Sequence, residues 1–167
     1  MGGRLDIFAV EGLPMVRPGD DLAGLIVTAL TDMGEALQDG DIVVIAQKIV
    51  SKAEGRQVPL SAVTPSAQAV ELAEKTAKDP RAVELVLRES TEVVRAIPGV
   101  LITRHRLGFV MANAGIDRSN IEGSEDTALL LPEDPDTSAR QIRSALEVAT
   151  GTSLAVIISD SVGRAWR

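Results

Sequence analysis

Apolar and polar positions alternate along the first quarter of the chain in a pattern that predicts strand, helix and strand. Between 20 and 37, apolar residues recur every three or four positions, which predicts an amphipathic helix capped by Asp20 or Asp21. Short apolar runs predict strands at Leu5–Val10 and at Ile42–Ala46, the second of them buried. This order of elements favours a right-handed crossover and a parallel pair of strands.

The rest of the chain continues to alternate between helices and strands. Two helices are predicted within 64–90, the first with Thr64 as its cap and Pro65 at its first position. Strands follow, and two of them are joined by a tight hairpin at "HRLG". A helix capped by Asp136 or Thr137 and ended by Gly151 then precedes the last strand. The predicted strands are Glu92–Ala96, Val100–Arg104, Gly108–Ala112 and Leu154–Ile158, the last buried on both faces.

The composition of the core points to the same fold class. The chain is 45% hydrophobic but only 2% aromatic, with one Trp, two Phe and no Tyr, so its core must be aliphatic. Aliphatic cores are typical of proteins in which helices cover a parallel or mixed sheet. We therefore expect an α/β fold of the mixed α+β kind, with a mixed β-sheet core flanked by helices. No linker, repeat or low-complexity tract divides the 167 residues.

Charge and composition exclude several classes of function. A net charge of −7 argues against a nucleic-acid or anionic-membrane partner, although a metal ion and a few local cations would still let the protein hold a nucleotide. Without cysteine there is no disulfide, thiolate metal site or cysteine nucleophile. The first residues lack a signal-peptide pattern, and no apolar run approaches the ~20 residues that span a bilayer. We expect a soluble, cytoplasmic protein.

Two strand ends carry similar polar residues. The strand before "NAGIDRSN" and the strand before "SDSVGR" each lead into an aspartate, Asp117 in the first and Asp160 in the second. In α/β sheets, ligands bind at the carboxyl ends of strands, and paired carboxylates suit Mg²⁺ or Mn²⁺. The alternative is that each aspartate only caps a turn.

A basic tract and one histidine complete the candidate chemistry. In "QKIVSKAEGR", Lys48, Lys52 and Arg56 are four residues apart, so a helix would place them on one face towards an anionic ligand. An extended segment would still place both lysines on one side, and the alternative is a solvated basic stripe. The chain has neither a Walker A motif nor GxGxxG. His105, the single histidine, lies in the predicted hairpin turn, where we expect a surface residue without a catalytic role.

Five stretches, in order along the chain, carry a family resemblance: "VEGLPMVRPGDDL", "DGDIVVIAQKIVSKAEGR", "MANAGIDRSNIE", "LLLPEDPDTSA" and "IISDSVGRAWR". Together they resemble the γ-glutamyl ligase family of coenzyme F-420 (also written F420). The resemblance implies the ligase fold, incomplete at the C-terminus. It also implies that residues 1–167 are the N-terminal portion of a single γ-glutamyl ligase domain, and we expect this portion alone to be inactive.

The resemblance implies a GTP-dependent enzyme of coenzyme F-420 biosynthesis. Members of the family join L-glutamate to F-420-0 through an acyl phosphate and then add γ-linked glutamates. The implied cofactors are Mg²⁺ or Mn²⁺, with K⁺ as a further monovalent cation, and the implied assembly is a homodimer. Two alternatives stay open: a nucleotide-binding paralogue or split half without catalysis, and a metal-dependent phosphate-ester hydrolase.

The resemblance also implies roles for individual residues. Asp117 and Asp160 match the catalytic ligands of one divalent ion, and Ser161 matches a ligand of a second, at a position where Thr is common. Gln47 stands where many members have Ser or Thr, which leaves a hydroxyl contact there in question. Lys52 is the residue expected to contact the phosphates. The positions that match nucleotide contacts are Gly12, Leu13, Pro14, Met15, Gln47, Lys48, Lys52 and Asn120.

Overall fold

The computed structural model describes residues 5–118 and 126–160 and confirms the mixed α/β class. The chain forms two compact units, the first comprising Met1–Gly55 with Asp134–Ser159 and the second comprising Arg56–Glu133 with Asp160–Arg167. No helix in the described ranges is long and apolar enough to cross a membrane. The helices are α1 (Leu22–Asp32), α2 (Gln47–Ala53), α3 (Ala67–Thr76), α4 (Pro80–Arg88) and α5 (Pro135–Thr150). The strands are β1 (Ile42–Ala46), β2 (Gln57–Pro59), β3 (Ser90–Ile97), β4 (Val100–His105), β5 (Val110–Ala112), β6 (Thr127–Leu129) and β7 (Ala155–Ser159).

The first unit packs α1, α2 and α5 around the parallel strands β1 and β7. The apolar stripe predicted in α1 supplies Leu22, Ile26 and Leu30, which are buried together with Ile45 of β1 and Val50 of α2. Each such side chain contributes about 1.5–3 kcal/mol when fully buried. The core of this unit is therefore aliphatic, as the composition predicts.

The prediction of a strand at Leu5–Val10 is wrong, and so is the prediction that it pairs in parallel with Ile42–Ala46. Residues 5–10 are irregular, and Leu5 and Ile7 are 80% and 86% exposed. A strand needs a neighbour to satisfy its backbone N–H and C=O groups. β1 instead pairs with β7, more than a hundred residues later in the chain, in a register that runs from Ile42↔Ala155 to Ala46↔Ser159.

The prediction that β7 is buried on both faces is also wrong, and β1, predicted to be buried, is covered on one face. Val43 and Ile45 of β1, with Val156 of β7, pack against the core of the first unit. Val44 and Ile157, which alternate with them, are 61% and 48% exposed. A continuous apolar run can place only every second side chain on one face, so the run alone does not show that both faces are covered.

Two predicted helix caps are displaced by a few residues. The cap of α3 is Ser66, whose side chain accepts a hydrogen bond from the Ala69 N–H at 3.2 Å, rather than Thr64. The cap of α5 is Asp134, which accepts from Thr137 N at 3.0 Å. Pro135 occupies the first position of α5, so the capping residue must precede it, and neither Asp136 nor Thr137 can be the cap. The helix ends at Gly151, as predicted, with φ +73°.

The second unit contains antiparallel sheets. Strands β3, β4 and β5 form one sheet, and β2 pairs with β6. The predicted hairpin between β4 and β5 is confirmed, with Gly108 N donating to the carbonyl oxygen of His105 at 2.8 Å. Helices α3 and α4 pack on this sheet through Ala73, Val83 and Leu101. These contacts place the end of α4 beside the end of β4.

Candidate functional site

Helix α2 begins directly after β1 and carries three of the predicted nucleotide contacts. Gln47 is its first residue, and Lys48 and Lys52 lie one turn apart along it. The helical alternative is therefore correct for Lys48 and Lys52 and wrong for Arg56, which lies beyond the end of α2. Gln47 and Lys52 are buried, 6% and 8% exposed, and the Ser51 hydroxyl donates to Gln47 Oε1 at 2.8 Å. The Gln47 side chain is thus held by its own helix.

Lys52 has a mostly buried side chain, 8% exposed, and no carboxylate partner in the part of the chain that the structure describes. In residues 5–118 and 126–160 its side chain forms no hydrogen bond or ion pair. Its ammonium is not among the described polar atoms that are shut off from water without a partner, so the stem of the side chain is buried while the charged end still reaches solvent. This environment suits a contact with an anionic ligand.

Arg56 lies four residues further along the same basic tract and has a different environment. Its Nη2 atom lies 3.0 Å from both carboxylate oxygens of Glu89, and its Nε donates to the carbonyl oxygen of Leu131 at 2.9 Å. Nη2 is shared between both oxygens of Glu89, and Nη1 lies 3.9 Å from Glu133 Oε2, so the guanidinium is already committed to carboxylates of its own unit. The basic tract therefore has two parts. Lys48 and Lys52 of α2 remain candidates for a ligand site, whereas the contacts of Arg56 are structural.

The loop at 12–15 belongs to the same unit as α2. Gly12 has φ +77°, and Leu13 and Met15 are exposed. The chain is anchored on the far side of this loop, because Val16 is buried in the core and Gly19 N donates to the carbonyl oxygen of Ala53 at 2.8 Å. The second contact attaches the chain after the loop to the end of α2. The loop's exposed side chains are thus held on a fixed backbone.

Parallel pairing places the carboxyl ends of β1 and β7 side by side. Ala46 and Ser159 are register partners at the last position of the ladder. Gln47 follows the first of them and Asp160 follows the second. Ligands bind at this edge of α/β sheets, so the pairing supports the sequence argument for Asp160.

Asp117 lies in the second unit, between β5 and β6. Its backbone pairs with Leu129, with N···O distances of 3.0 and 2.8 Å, so more than a simple turn fixes its position. The structure gives no cluster of three or more His, Cys, Asp or Glu residues for a metal within its described parts. Asn120 and Ser161 lie outside the described residues, so their predicted roles stay predictions.

The candidate ligands are oxygen donors, two carboxylates and one hydroxyl, which is the set that Mg²⁺ and Mn²⁺ prefer. Mg²⁺ is usually held by one or two carboxylates, with phosphate oxygens and water completing its shell. Two aspartates, with no cluster of three metal-binding side chains in residues 5–118 and 126–160, would fit an ion that arrives with a nucleotide.

The prediction of a surface His105 is wrong. Its side chain is fully buried, with Nε2 3.4 Å from Glu89 Oε2 and Nδ1 accepting from Leu107 N at 3.0 Å. Because Nδ1 accepts, the hydrogen of the neutral ring is on Nε2, towards Glu89. The signal was present in the sequence, since the two-residue period of β4 places His105 on the same face as buried Leu101 and Thr103.

We refer to Glu89, Arg56, His105 and Arg106 as the Glu89 cluster. Arg106 Nε donates to Glu89 Oε2 at 3.2 Å, so three basic side chains surround one carboxylate. Burial raises the pKa of Glu89, but the neighbouring His105 and the charges of the two arginines outweigh this and lower the pKa to about 2. The cluster is therefore a structural network around one carboxylate, in which the buried His105 Nε2 lies 3.4 Å from Glu89 Oε2 without forming a hydrogen bond.

Comparison with known proteins assigns the family. The model of the F420-0:Gamma-glutamyl ligase family matches residues 12–167. The chain belongs to this family. Three similar proteins are each named "Coenzyme F420:L-glutamate ligase", and they come from Methanothermobacter thermautotrophicus (50% identity over 98% of this chain), Methanopyrus kandleri (46% over 100%) and Methanocaldococcus jannaschii (46% over 98%). The chain covers 64%, 64% and 63% of the lengths of these F420-0:gamma-glutamyl ligase relatives.

Proposed function

We propose that this chain is part of a ligase of coenzyme F-420 biosynthesis that uses GTP to form an amide bond between L-glutamate and F-420-0. Family membership and the names of the relatives support ligation and the identity of the substrates. The observation that carries the proposal for the nucleotide is the environment of Lys52, a buried cation with no carboxylate partner in the described residues.

The proposed reaction has two steps. The acceptor carboxylate attacks the γ-phosphorus of GTP, GDP leaves, and an acyl phosphate forms. The glutamate amine then attacks the acyl carbon, inorganic phosphate leaves, and the amine gives up a proton. Phosphoryl transfer needs little covalent chemistry from a protein, but it needs positive charge placed around the phosphates. Lys52, held in place on α2, would supply part of that positive charge.

The residues divide into a nucleotide set and a metal set. Lys52 would contact the phosphates, with Lys48, Gln47 and the loop at 12–15 at the nucleotide, and Asn120 would add a further contact. Asp117, Asp160 and Ser161 would hold Mg²⁺ or Mn²⁺, which supplies charge neutralisation between the phosphates. A monovalent K⁺ and a second copy of the chain in a homodimer complete the proposal.

This chain matches only part of the length of its relatives, and that fraction bears on whether the chain is active alone. The sequence matches 64% of the Methanothermobacter relative. We propose that residues 1–167 alone bind nucleotide but do not complete ligation. GTP-dependent addition of glutamate by this polypeptide would contradict that statement.

The test uses the whole polypeptide encoded by the reading frame, with F-420-0, L-glutamate, GTP and Mn²⁺, and mass spectrometry to detect the glutamylated product. Lys52→Ala removes a charge-assisted contact of about 1.5–3 kcal/mol, so GTP should bind about 10- to 100-fold more weakly. Asp160→Asn keeps the shape but removes a negative ligand, so turnover should fall more than stability.

A titration with Mn²⁺ separates the two roles. Excess Mn²⁺ should partly restore Asp160→Asn and leave Lys52→Ala unchanged. Equal rescue of both variants, or of neither, contradicts the division of roles. Release of phosphate without a glutamylated product would favour the hydrolase, and nucleotide binding without either product would favour the non-catalytic paralogue.

A further inference from the structure

The second unit contains a cleft between the end of α3, one side of α4 and the turn that follows β5. Its volume is about 540 Å³, which lies within the range of small-molecule sites. We refer to it as the α3–α4 cleft. The residues that line it are Ala77, Lys78, Asp79, Ala82, Val83, Val86, Asn113, Ile116, Asp117 and Arg118.

The charges in the α3–α4 cleft leave one cation without a partner. The Asp79 carboxylate accepts hydrogen bonds from Arg81 N, Nε and Nη2 at 2.8, 3.1 and 2.8 Å, and the Arg81 hydrogen bonds lower its pKa. Asp79 is therefore already neutralised by Arg81. The side chains of Lys78 and Asn113 form no hydrogen bond or ion pair within 5–118 and 126–160. The cleft thus offers an ammonium and an amide that can contact a ligand.

The backbone around the cleft is held in an unusual conformation. Ala77 and Asn113, which both line the cleft, have φ +53° and +51°, and Ala114, next to Asn113, has φ +52°. In the described residues these three are the non-glycine positions with positive φ. Such conformations are unfavourable outside glycine and concentrate at functional sites, where the surrounding structure maintains them. These backbone conformations fix the directions in which the side chains of Lys78 and Asn113 leave the backbone.

One wall of the cleft is apolar. Its exposed apolar surface comes from Ala82 of α4 and Ile116, because Val83 and Val86, which also line the cleft, are only 1% and 2% exposed. A free phosphate ion or glutamate alone has no ring or alkyl body large enough to use such a wall. The combination of an apolar wall, one cation and one amide suits a larger ligand that has a flat ring system and an anionic tail.

We propose that the α3–α4 cleft binds the carboxylate-bearing acceptor of the ligation, with its ring system against α4 and its anionic tail at Lys78 and Asn113. Asp117 also lines the cleft, so this position would bring the tail to a residue of the metal set. The inference rests on the proposed function, in which the acceptor is F-420-0, a deazaflavin. Of the reactants in that ligation, F-420-0 is the one that has both a flat ring system of this kind and an anionic tail.

The test is a titration of residues 1–167 with F-420-0. Binding is detected by the change in absorbance or fluorescence of the deazaflavin. Lys78→Ala should weaken binding about tenfold or more, because a charge-assisted contact is lost. Lys75→Ala is the matched control, since Lys75 is an exposed lysine on α3 that does not line the cleft, and its effect should be below about twofold. Lys78→Arg should retain most of the affinity, and Asn113→Gly, which keeps the positive φ, should cause a smaller loss than Lys78→Ala.

Competition identifies the ligand of the cleft. L-glutamate, inorganic phosphate and GTP should each fail to displace F-420-0. Displacement by GTP, unchanged affinity in Lys78→Ala, or no binding of F-420-0 to the wild-type chain would overturn the inference. If the whole polypeptide ligates glutamate while Lys78→Ala binds F-420-0 normally, the cleft inference fails and the proposed function stands. If F-420-0 binding depends on Lys78 but the whole polypeptide encoded by the reading frame does not ligate glutamate, the proposed function fails and the cleft inference stands.

Discussion

Lys52 and Arg56 are two cations of one short tract, four residues apart, with opposite environments. Lys52 is buried on α2 and has no partner in the described residues, whereas Arg56 is bound on both sides of its guanidinium by Glu89 and the Leu131 carbonyl. A cation whose bonds are already made stabilises the fold, and a buried cation without a partner is available to a ligand. The charge pattern alone does not distinguish them.

The largest expected effect comes from the carboxylate at the centre of the Glu89 cluster. Glu89→Gln leaves Arg56, Arg106 and His105 without their charged partner, and should lower the free energy of unfolding by about 3 kcal/mol. Denaturation in urea, followed by circular dichroism, measures the change. The control is Glu92→Gln, which breaks an exposed pair with Arg104 and should change stability by less than about 1 kcal/mol. Equal losses in the two variants would contradict a structural role for the cluster.

Replacing Arg56 itself should have a smaller effect on stability, because Arg106 and His105 stay with Glu89. We expect Arg56→Met to lower the free energy of unfolding by about 2 kcal/mol, from the loss of hydrogen bonds to a charged group and to the Leu131 carbonyl. Arg104→Met is the matched control, with an exposed guanidinium that makes one ion pair. A variant at Arg56 as stable as wild type would show that the pairing contributes nothing.

The low pKa of Glu89 predicts how stability depends on pH. The ordinary value is 4.5 and the folded value is about 2, so acid protonates the unfolded chain first and favours unfolding. The contribution of Glu89 is therefore complete above pH 4.5 and disappears as the pH falls towards 2. The difference in unfolding free energy between wild type and Glu89→Gln should shrink over this range. A difference that stays constant between pH 6 and pH 2.5 (roughly the titration window) would contradict this account.

A small effect is expected at Thr103, next to the cluster. Its Oγ1 and the Nε2 of His105 are the two buried polar side-chain atoms without a hydrogen-bond partner in residues 5–118 and 126–160. Thr103 Oγ1 is fully buried and has no hydrogen-bond partner. Thr103→Val replaces the hydroxyl with a methyl group of similar shape, so stability should stay the same or rise by about 1 kcal/mol. A loss of more than about 1 kcal/mol in urea denaturation would show that the hydroxyl is satisfied in solution.

Local patterns in the sequence predicted much of the fold. The helical period of α1 and the hairpin between β4 and β5 depend on neighbouring residues, and both are confirmed. The strand at Leu5–Val10 was predicted wrongly, because an apolar run indicates a preference but does not show that a partner strand is present. The partner of β1 is β7, and no local pattern specifies a pairing across so long a separation.

The candidate site shows the same limit. The tract that carries Lys52 was visible as a basic spacing, but whether each cation is paired depends on contacts from distant segments. Glu89, 33 residues away, removes Arg56 from the set of ligand-binding candidates. Lys78 and Asn113 were not predicted, because their common cleft forms only when the end of α3 packs beside the turn after β5.

The central claim is that Lys52, mostly buried and without a partner in residues 5–118 and 126–160, binds the nucleotide. A GTP titration tests this claim most directly. Isothermal titration of residues 1–167 with GTP and Mg²⁺ would compare wild type with Lys52→Met and Lys75→Met, which change the net charge equally. We expect Lys52→Met to weaken binding about 10- to 100-fold while its unfolding free energy is unchanged or higher, and Lys75→Met to bind like wild type. Wild-type affinity in Lys52→Met, or a loss of stability as large as that of Glu89→Gln, would contradict the claim.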